Sequence, residues 1–169
     1  RLEILNDKFS GFETDVVYDD SIQSFWVYHP PRPEGEQLTL GEFMQHVNPK
    51  TKNLWLDTRG VDSANMQRAM NALMDVVGNT WLKDPIIIEL YDITAAKLFA
   101  DNGFAVALNV SEQLQKRLMT ENMLKDSLDT VLRSVGFVSQ DYQYVPNLKK
   151  FFPNKPIITW HTEFNNFID

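Results

Sequence analysis

The sequence contains no cysteine. This excludes disulfide bonds, thiolate metal sites and a cysteine nucleophile. It leaves the cellular compartment open, because a cysteine-free chain tolerates both reducing and oxidising surroundings. The sequence also lacks any run near the roughly 18 apolar residues that a transmembrane helix requires. A glycine-rich dinucleotide-binding fingerprint is missing as well. We therefore predict no transmembrane segment, and the fingerprint that accompanies many open doubly wound sheets is absent.

Positive charge is scarce: 16 lysines and arginines face 23 acidic residues, for a formal net charge of −7. A chain with this balance repels nucleic-acid backbones and anionic membranes, so no nucleic-acid partner is expected. A small phosphate-bearing ligand remains compatible with the charge if a metal ion cancels the local negative field.

The 169 residues suit one domain spanning 1–169. Short apolar strand candidates alternate with helical stretches, which predicts an α/β fold with a parallel sheet. Thr39 lies three residues before Glu42, a capping-box spacing, and Asp62 or Ser63 is expected to cap the following helix. An open doubly wound sheet and a (β/α) barrel both fit this alternation. A complete barrel usually needs about 250 residues, so the barrel would be incomplete. The strand candidates are residues 12–18, 24–28, 53–57, 86–90, 104–108, 135–138 and 156–160.

Polar side chains lie within or at the ends of these strands, where parallel sheets place their active sites. Glu13 and Asp15 are two residues apart, so both point to one face of a strand. Two such carboxylates are costly unless they are paired or bind a cation, and oxygen ligands suit Mg²⁺ or Ca²⁺. His29 ends the second strand, directly before two prolines. The other strand-end residues are Asp57, Arg59, Glu89, Asp92 and His161.

Each of these residues also has a structural interpretation. The Glu13–Asp15 pair can form a buried ion pair with Arg59 or a lysine. Asp92 and Asp62 can be helix caps. These alternatives stay open from the residues alone.

Four segments carry a resemblance to a known family: GFETDVVYD at 11–19, FWVYHPP at 25–31, LTLGEF at 38–43 and NLWLDTRG at 53–60. Together they resemble the glycerophosphodiester phosphodiesterase and phospholipase C-like barrel superfamily, and most of all its menorin-like branch. The resemblance covers roughly residues 10 to 110. It implies a parallel (β/α) barrel of the phosphodiesterase type, of which about six of the eight strands are identifiable here.

The resemblance also implies roles for individual residues. Glu13, Asp15 and Glu89 would hold a divalent metal, Mg²⁺ or Ca²⁺. His29 would act as an acid/base group, and Arg59 would bind a phosphoryl oxygen where the family more often has lysine. The substrate-binding residues would be Asp57, Trp160 and His161.

The family's first strand brings another catalytic histidine, which has no counterpart in this sequence. One hypothesis is therefore a metal-dependent hydrolase of a glycerophosphodiester or a related phosphodiester, with this chain as a fragment of a larger protein. The alternatives are a non-catalytic domain that binds a phosphate or sugar ligand, and an assembly domain that associates with missing segments or a partner chain. The resemblance favours an extracytoplasmic location, periplasmic or secreted.

Overall fold

The computed structural model describes residues 11–35, 37–47, 53–78, 86–112, 114–116, 128 and 130–160. These residues build one seven-stranded sheet. Every strand candidate of the sequence is a strand in the structure, with ends shifted by a few residues, as expected for pattern-based boundaries. The strands are β1 (Gly11–Asp19), β2 (Ser24–Val27), β3 (Asn53–Arg59), β4 (Ile86–Leu90), β5 (Ala105–Asn109), β6 (Phe137–Asp141) and β7 (Ile157–Trp160).

The strand order is β2-β1-β3-β4-β5-β6-β7. Only β2 runs antiparallel to its neighbour β1. β3 lies parallel to β1 on its other side, and each strand from β4 to β7 is added in parallel beside the preceding one. The β2-β1-β3-β4-β5 part of this order is also the order of flavodoxin-like doubly wound sheets, which change direction between β1 and β3. The predicted α/β fold with a parallel sheet is confirmed, and both the barrel and the doubly wound alternative are compatible with the described strands. Their pairings include no contact that joins β7 to β1 or β2 and closes a barrel.

Four helices have both ends within the described residues: α1 (Leu40–His46), α2 (Met66–Val77), α3 (Ile93–Asp101) and α4 (Val145–Phe151), which follows a 3₁₀ turn at Tyr142–Tyr144. The capping box of α1 is confirmed: Thr39 Oγ1 accepts a 3.3 Å hydrogen bond from the Glu42 amide, and Glu42 Oε2 accepts a 2.8 Å bond from the Thr39 amide. Asp92 caps α3 by accepting a 2.9 Å bond from the Ala95 amide. Asp92 is therefore a structural residue.

Helix α2 begins later than the sequence predicts. Its N-cap is Asn65, which makes no side-chain capping bond, so the expected cap at Asp62 or Ser63 is wrong. Asp62 instead accepts a 2.8 Å hydrogen bond from the Ala64 amide inside the preceding turn. The carboxylate is used by the turn, because an Asx-type bond two residues ahead competes with helix capping.

The two faces of the sheet differ in chemistry. The face packed against the helices is mostly apolar and is buried in the inner strands, and it supplies the core together with α2 and α3. The opposite face carries the polar residues of β1, β3, β4, β5 and β6. Among the described residues, no helix has the length and hydrophobicity that a membrane crossing requires. The buried core residues of the inner strands are Leu54, Leu56, Ile88, Leu90, Val106, Leu108 and Val138.

Candidate active site

Strand register brings a row of carboxylates together on the polar face. Asp15 on β1 is the Cα partner of Asp57 on β3, and Asp57 is the partner of Glu89 on β4. Partners in neighbouring parallel strands point to the same side of the sheet. Glu13 joins them because it lies two residues before Asp15. Three adjacent strands thus contribute four acidic side chains to one area.

These side chains line a cavity of about 290 Å³. Six of the eight residues that the sequence singles out contribute to its wall, so the structure brings together residues that are up to 76 positions apart. Of the other two, Trp160 ends β7, but its side chain lies outside the described part of the chain, as does the whole of His161. The lining residues are Glu13, Asp15, His29, Trp55, Asp57, Arg59 and Glu89.

Three of the carboxylates are close enough to share one ion. Each of Glu13, Asp15 and Asp57 offers an oxygen within 4.8 Å of the oxygens of the other two. Ligands of one Ca²⁺ can be at most about 5 Å apart, twice the usual metal–oxygen distance. The described geometry therefore groups Asp57, which the sequence assigned to substrate binding, with Glu13 and Asp15. Glu89, the residue expected as third ligand, is not in this group.

Arg59 lies between two of these carboxylates. Its Nη2 donates a 2.7 Å hydrogen bond to Asp57 Oδ2, and its Nε lies 3.6 Å from Asp15 Oδ1. The longer distance is an ion-pair contact and not a hydrogen bond. Nε is buried and has no hydrogen-bond partner among the described residues. The ion pair that the sequence allowed thus exists, yet one guanidinium faces three carboxylates and keeps one buried donor unsatisfied.

Tyr91 is a site residue that sequence reasoning missed. Its hydroxyl donates a 2.8 Å hydrogen bond to Asp57 Oδ1, and the guanidinium of Arg59 lies over its ring, 5.0 Å from the centroid. Burial, followed by the negative charges of Glu89 and Asp57, raises the pKa of the Tyr91 hydroxyl, which therefore stays a donor at neutral pH. A signal for it was present, because Tyr91 follows Glu89 by two positions and shares its face.

Glu89 belongs to a second polar group deeper in the sheet. It is only 1% exposed, and its Oε1 accepts hydrogen bonds from Asn109 Nδ2 at 2.7 Å and from Ser139 Oγ at 2.8 Å. Burial raises the pKa of the Glu89 carboxyl to about 7; the two hydrogen bonds oppose this shift, and the charge of Asp57 adds to it. Asn109 is the last residue of β5 and Ser139 lies within β6, so only the strand register shows that both lie close to Glu89.

The carboxylates at the cavity mouth repel one another. Glu13 is exposed as a residue, but partial burial of its carboxyl raises the pKa to about 7, and the negative charges of Asp15 and Asp57 add to the effect. Burial and the charge of Asp57 likewise raise the pKa of Asp15. Arg59 and His29 oppose both shifts without cancelling them. A cation placed among these oxygens would relieve the repulsion.

The donor set therefore fits a hard divalent cation. Three carboxylate oxygens within 4.8 Å of one another match the ligand preference of Mg²⁺ and Ca²⁺, which fill their other positions with water or substrate oxygens. No nitrogen or sulfur ligand is needed. His29, exposed after the end of β2, completes the cavity wall with an imidazole ring.

The structure is thus that of an α/β protein with a candidate site for both anions and cations. The site is a cavity in the seven-stranded sheet, lined by carboxylates, an arginine and a histidine. No family model and no curated protein matches the chain. A solved structure does: a phosphodiesterase from Oleispira antarctica in complex with the product sn-glycerol-3-phosphate, with 12% sequence identity and a TM-score of 0.53. The match covers 94% of this chain and 84% of that one. At this identity the likeness shows the fold alone.

Proposed function

We propose that this chain is a metal-dependent phosphodiester hydrolase-like domain that acts on a small phosphodiester, such as a glycerophosphodiester. The observation that carries the proposal is the single cavity in which three clustered carboxylates surround Arg59. A cation site beside a guanidinium is what a phosphoryl group requires, because both neutralise its oxygens. The fold likeness to a phosphodiesterase with bound glycerol phosphate supports the same substrate class. In this proposal the sheet is part of a (β/α) barrel.

Glu13, Asp15 and Asp57 would hold Mg²⁺ or Ca²⁺. The geometry favours Asp57 over Glu89 as the third ligand, because an oxygen of Asp57 lies within 4.8 Å of oxygens of Glu13 and Asp15, whereas Glu89 is not in this group. When bound, the cation would supply charge stabilisation at the phosphoryl oxygens. Glu89 would then stabilise the buried part of the cavity wall through its hydrogen bonds with Asn109 and Ser139.

Arg59 and His29 would perform the remaining steps. The buried Nε–H of Arg59 has no hydrogen bond among the described residues and could be satisfied by a non-bridging phosphoryl oxygen. His29, at the exposed side of the cavity, would donate a proton to the leaving alcohol oxygen as its bond to phosphorus breaks, while a water molecule forms the new P–O bond and releases its proton to solvent. Trp160 and His161 remain proposed substrate contacts from the sequence.

A binding domain without turnover is the second candidate. It is favoured by one observation: His29 is the only histidine that lines the described cavity, whereas hydrolysis in the resembling family uses two. General acid and general base would then have to be one residue.

One experiment separates the two candidates. The chain is titrated with Mg²⁺ and Ca²⁺ by calorimetry, and then incubated with the cation and glycerophosphodiesters while glycerol phosphate is measured. The hydrolase proposal expects saturable cation binding and turnover, with both lost in a Glu13→Gln/Asp15→Asn variant. Asp101→Asn, an exposed carboxylate paired with Lys97 on α3, is the control. Cation and glycerol phosphate binding without turnover would support the binding domain, and no binding would contradict both.

A further inference from the structure

Both oxygens of the Asp57 carboxylate are engaged by different neighbours. Oδ2 accepts from Arg59 Nη2 at 2.7 Å, and Oδ1 accepts from the Tyr91 hydroxyl at 2.8 Å. The ion pair between Asp57 and Arg59 is therefore a one-point contact. Arginine–carboxylate pairs are frequently two-point contacts instead, because the fork geometry of the guanidinium allows two parallel N–H bonds to a carboxylate.

The donor needed for a second bond is present and unused. Nε of Arg59 is buried, has no hydrogen-bond partner among the described residues, and is 3.6 Å from the nearest Asp15 oxygen. Nε and Nη2 lie on the same edge of the guanidinium, so a small rotation would direct both toward Asp57. The Tyr91 hydroxyl already occupies the oxygen that Nε would reach.

The ring of Tyr91 restrains the same rotation. The guanidinium lies over the ring at 5.0 Å from its centroid, within the distance of a cation–π contact. Tyr91 thus contacts Asp57 with its hydroxyl and Arg59 with its ring face. One side chain controls the geometry of both partners of the ion pair.

We propose that Tyr91 is a positioning residue that keeps the Asp57–Arg59 pair from closing into a two-point contact. A closed pair would replace the neutral Tyr91 hydroxyl at Oδ1 of Asp57 by a second N–H of the charged guanidinium, and would use both donors on one edge of Arg59. Asp57 would then be withdrawn from a cation, and Arg59 from a phosphoryl oxygen. Tyr91 keeps both groups available, so this inference rests on the proposed function of the same cavity.

A double-mutant cycle tests the proposal through cation affinity, which needs no turnover. Tyr91→Phe keeps the ring and removes the hydroxyl, so the pair can close, and the affinity for Mg²⁺ and Ca²⁺ should fall about tenfold, as when other supporting groups of metal ligands are removed. Lysine has no fork, so in the Arg59→Lys background the same change should cost less than about threefold. Tyr18→Phe removes a buried hydroxyl on the helix side of the sheet and should leave the affinity unchanged.

The outcomes are distinct. An unchanged affinity in Tyr91→Phe, or an equal loss in both arginine and lysine backgrounds, would overturn the inference; so would a wild type that binds neither cation. A loss of similar size in Tyr18→Phe would assign the effect to general packing and also overturn it. The hydrolase proposal is judged separately. If the expected double-mutant cycle is found but no glycerophosphodiester is hydrolysed, the inference about Tyr91 stands and the hydrolase proposal is rejected. If hydrolysis occurs but the expected cycle is not found, the hydrolase proposal stands and the inference about Tyr91 is rejected.

Discussion

Arg59 Nη2 donates a 2.7 Å hydrogen bond to Oδ2 of Asp57, a residue only two positions earlier on the same strand. The pair joins the candidate cation site to the candidate phosphate site, because Asp57 belongs to the carboxylate cluster and Arg59 carries the positive charge of the cavity. A substitution of either residue therefore disturbs both sites at once. Variants that separate the two must be made at residues that touch only one of them.

His29 meets that condition, since it lines the cavity but is not in the carboxylate cluster. We expect His29→Gln to lower the rate of phosphodiester hydrolysis by roughly 10²–10⁴, the usual contribution of a general acid or base, and to leave the dissociation constant for Mg²⁺ within about twofold. Rates are measured by product release and affinities by calorimetry. His46→Gln, on the last turn of α1, is the matched control and should change neither. A His29→Gln variant with full activity would remove His29 from the mechanism.

The affinity for the cation should depend on pH. The pKa of Glu13 is raised to about 7, so a proton competes with the cation below that value. We expect affinity for Ca²⁺ to fall about tenfold between pH 8 and pH 6, as one competing proton with that pKa requires. Calorimetric titrations at three pH values measure it. As a control the series is repeated with His29→Gln, which should keep the slope. A flat profile in the wild type would argue against Glu13 as a ligand.

Glu89 makes a prediction about stability. The folded-state pKa of its carboxyl, about 7, lies above the ordinary 4.5, so between these values the folded protein holds a proton that the unfolded chain has lost. The contribution of Glu89 to stability is thus largest below pH 4.5 and is lost as pH rises to 7, by an amount on the order of 3 kcal/mol. Glu89→Gln keeps an oxygen for Asn109 and Ser139 but carries no charge.

We therefore expect Glu89→Gln to raise the free energy of unfolding at pH 8 by about 1–3 kcal/mol and to change it little near pH 4.5. Urea unfolding at both pH values, with a chelator present, measures the difference. Ser139→Ala removes a donor to the same carboxylate and should act in the opposite direction, costing about 1–3 kcal/mol at pH 8. Destabilisation by Glu89→Gln at pH 8 would show that the buried charge is fully compensated.

The end of β3 depends on a glycine. Gly60 follows Arg59 with φ +74°, and an added Cβ would lie 2.9 Å from the Tyr18 carbonyl oxygen. Gly60→Ala should lower the free energy of unfolding by about 1–3 kcal/mol, because both strain and contact oppose it. Gly41→Ala, inside α1 with open space around it, should instead stabilise by about 0.5–1 kcal/mol. Equal effects of the two changes, measured by urea unfolding, would contradict this view of Gly60.

The sequence predicts the fold better than the site. Alternation within a single strand shows which residues share a face, so the pairing of Glu13 with Asp15 was recognisable. The three-residue spacing of Thr39 and Glu42 likewise made the capping box recognisable. Register between strands is not encoded locally. For that reason the clustering of Asp57 with Glu13, and the hydrogen bonds from Asn109 and Ser139 to Glu89, could not be derived from spacing. Those contacts join residues up to 50 positions apart.

The separation of the two sheet faces has a consequence for evolution. In β1 and in β3 to β6, the register places odd-numbered residues on the cavity face and even-numbered residues on the helix face. Selection on ligand choice and selection on folding therefore act on alternating positions of the same strands. A library randomised only at odd-numbered strand positions should keep many folded members with altered chemistry, whereas one randomised at the even-numbered positions should lose the fold.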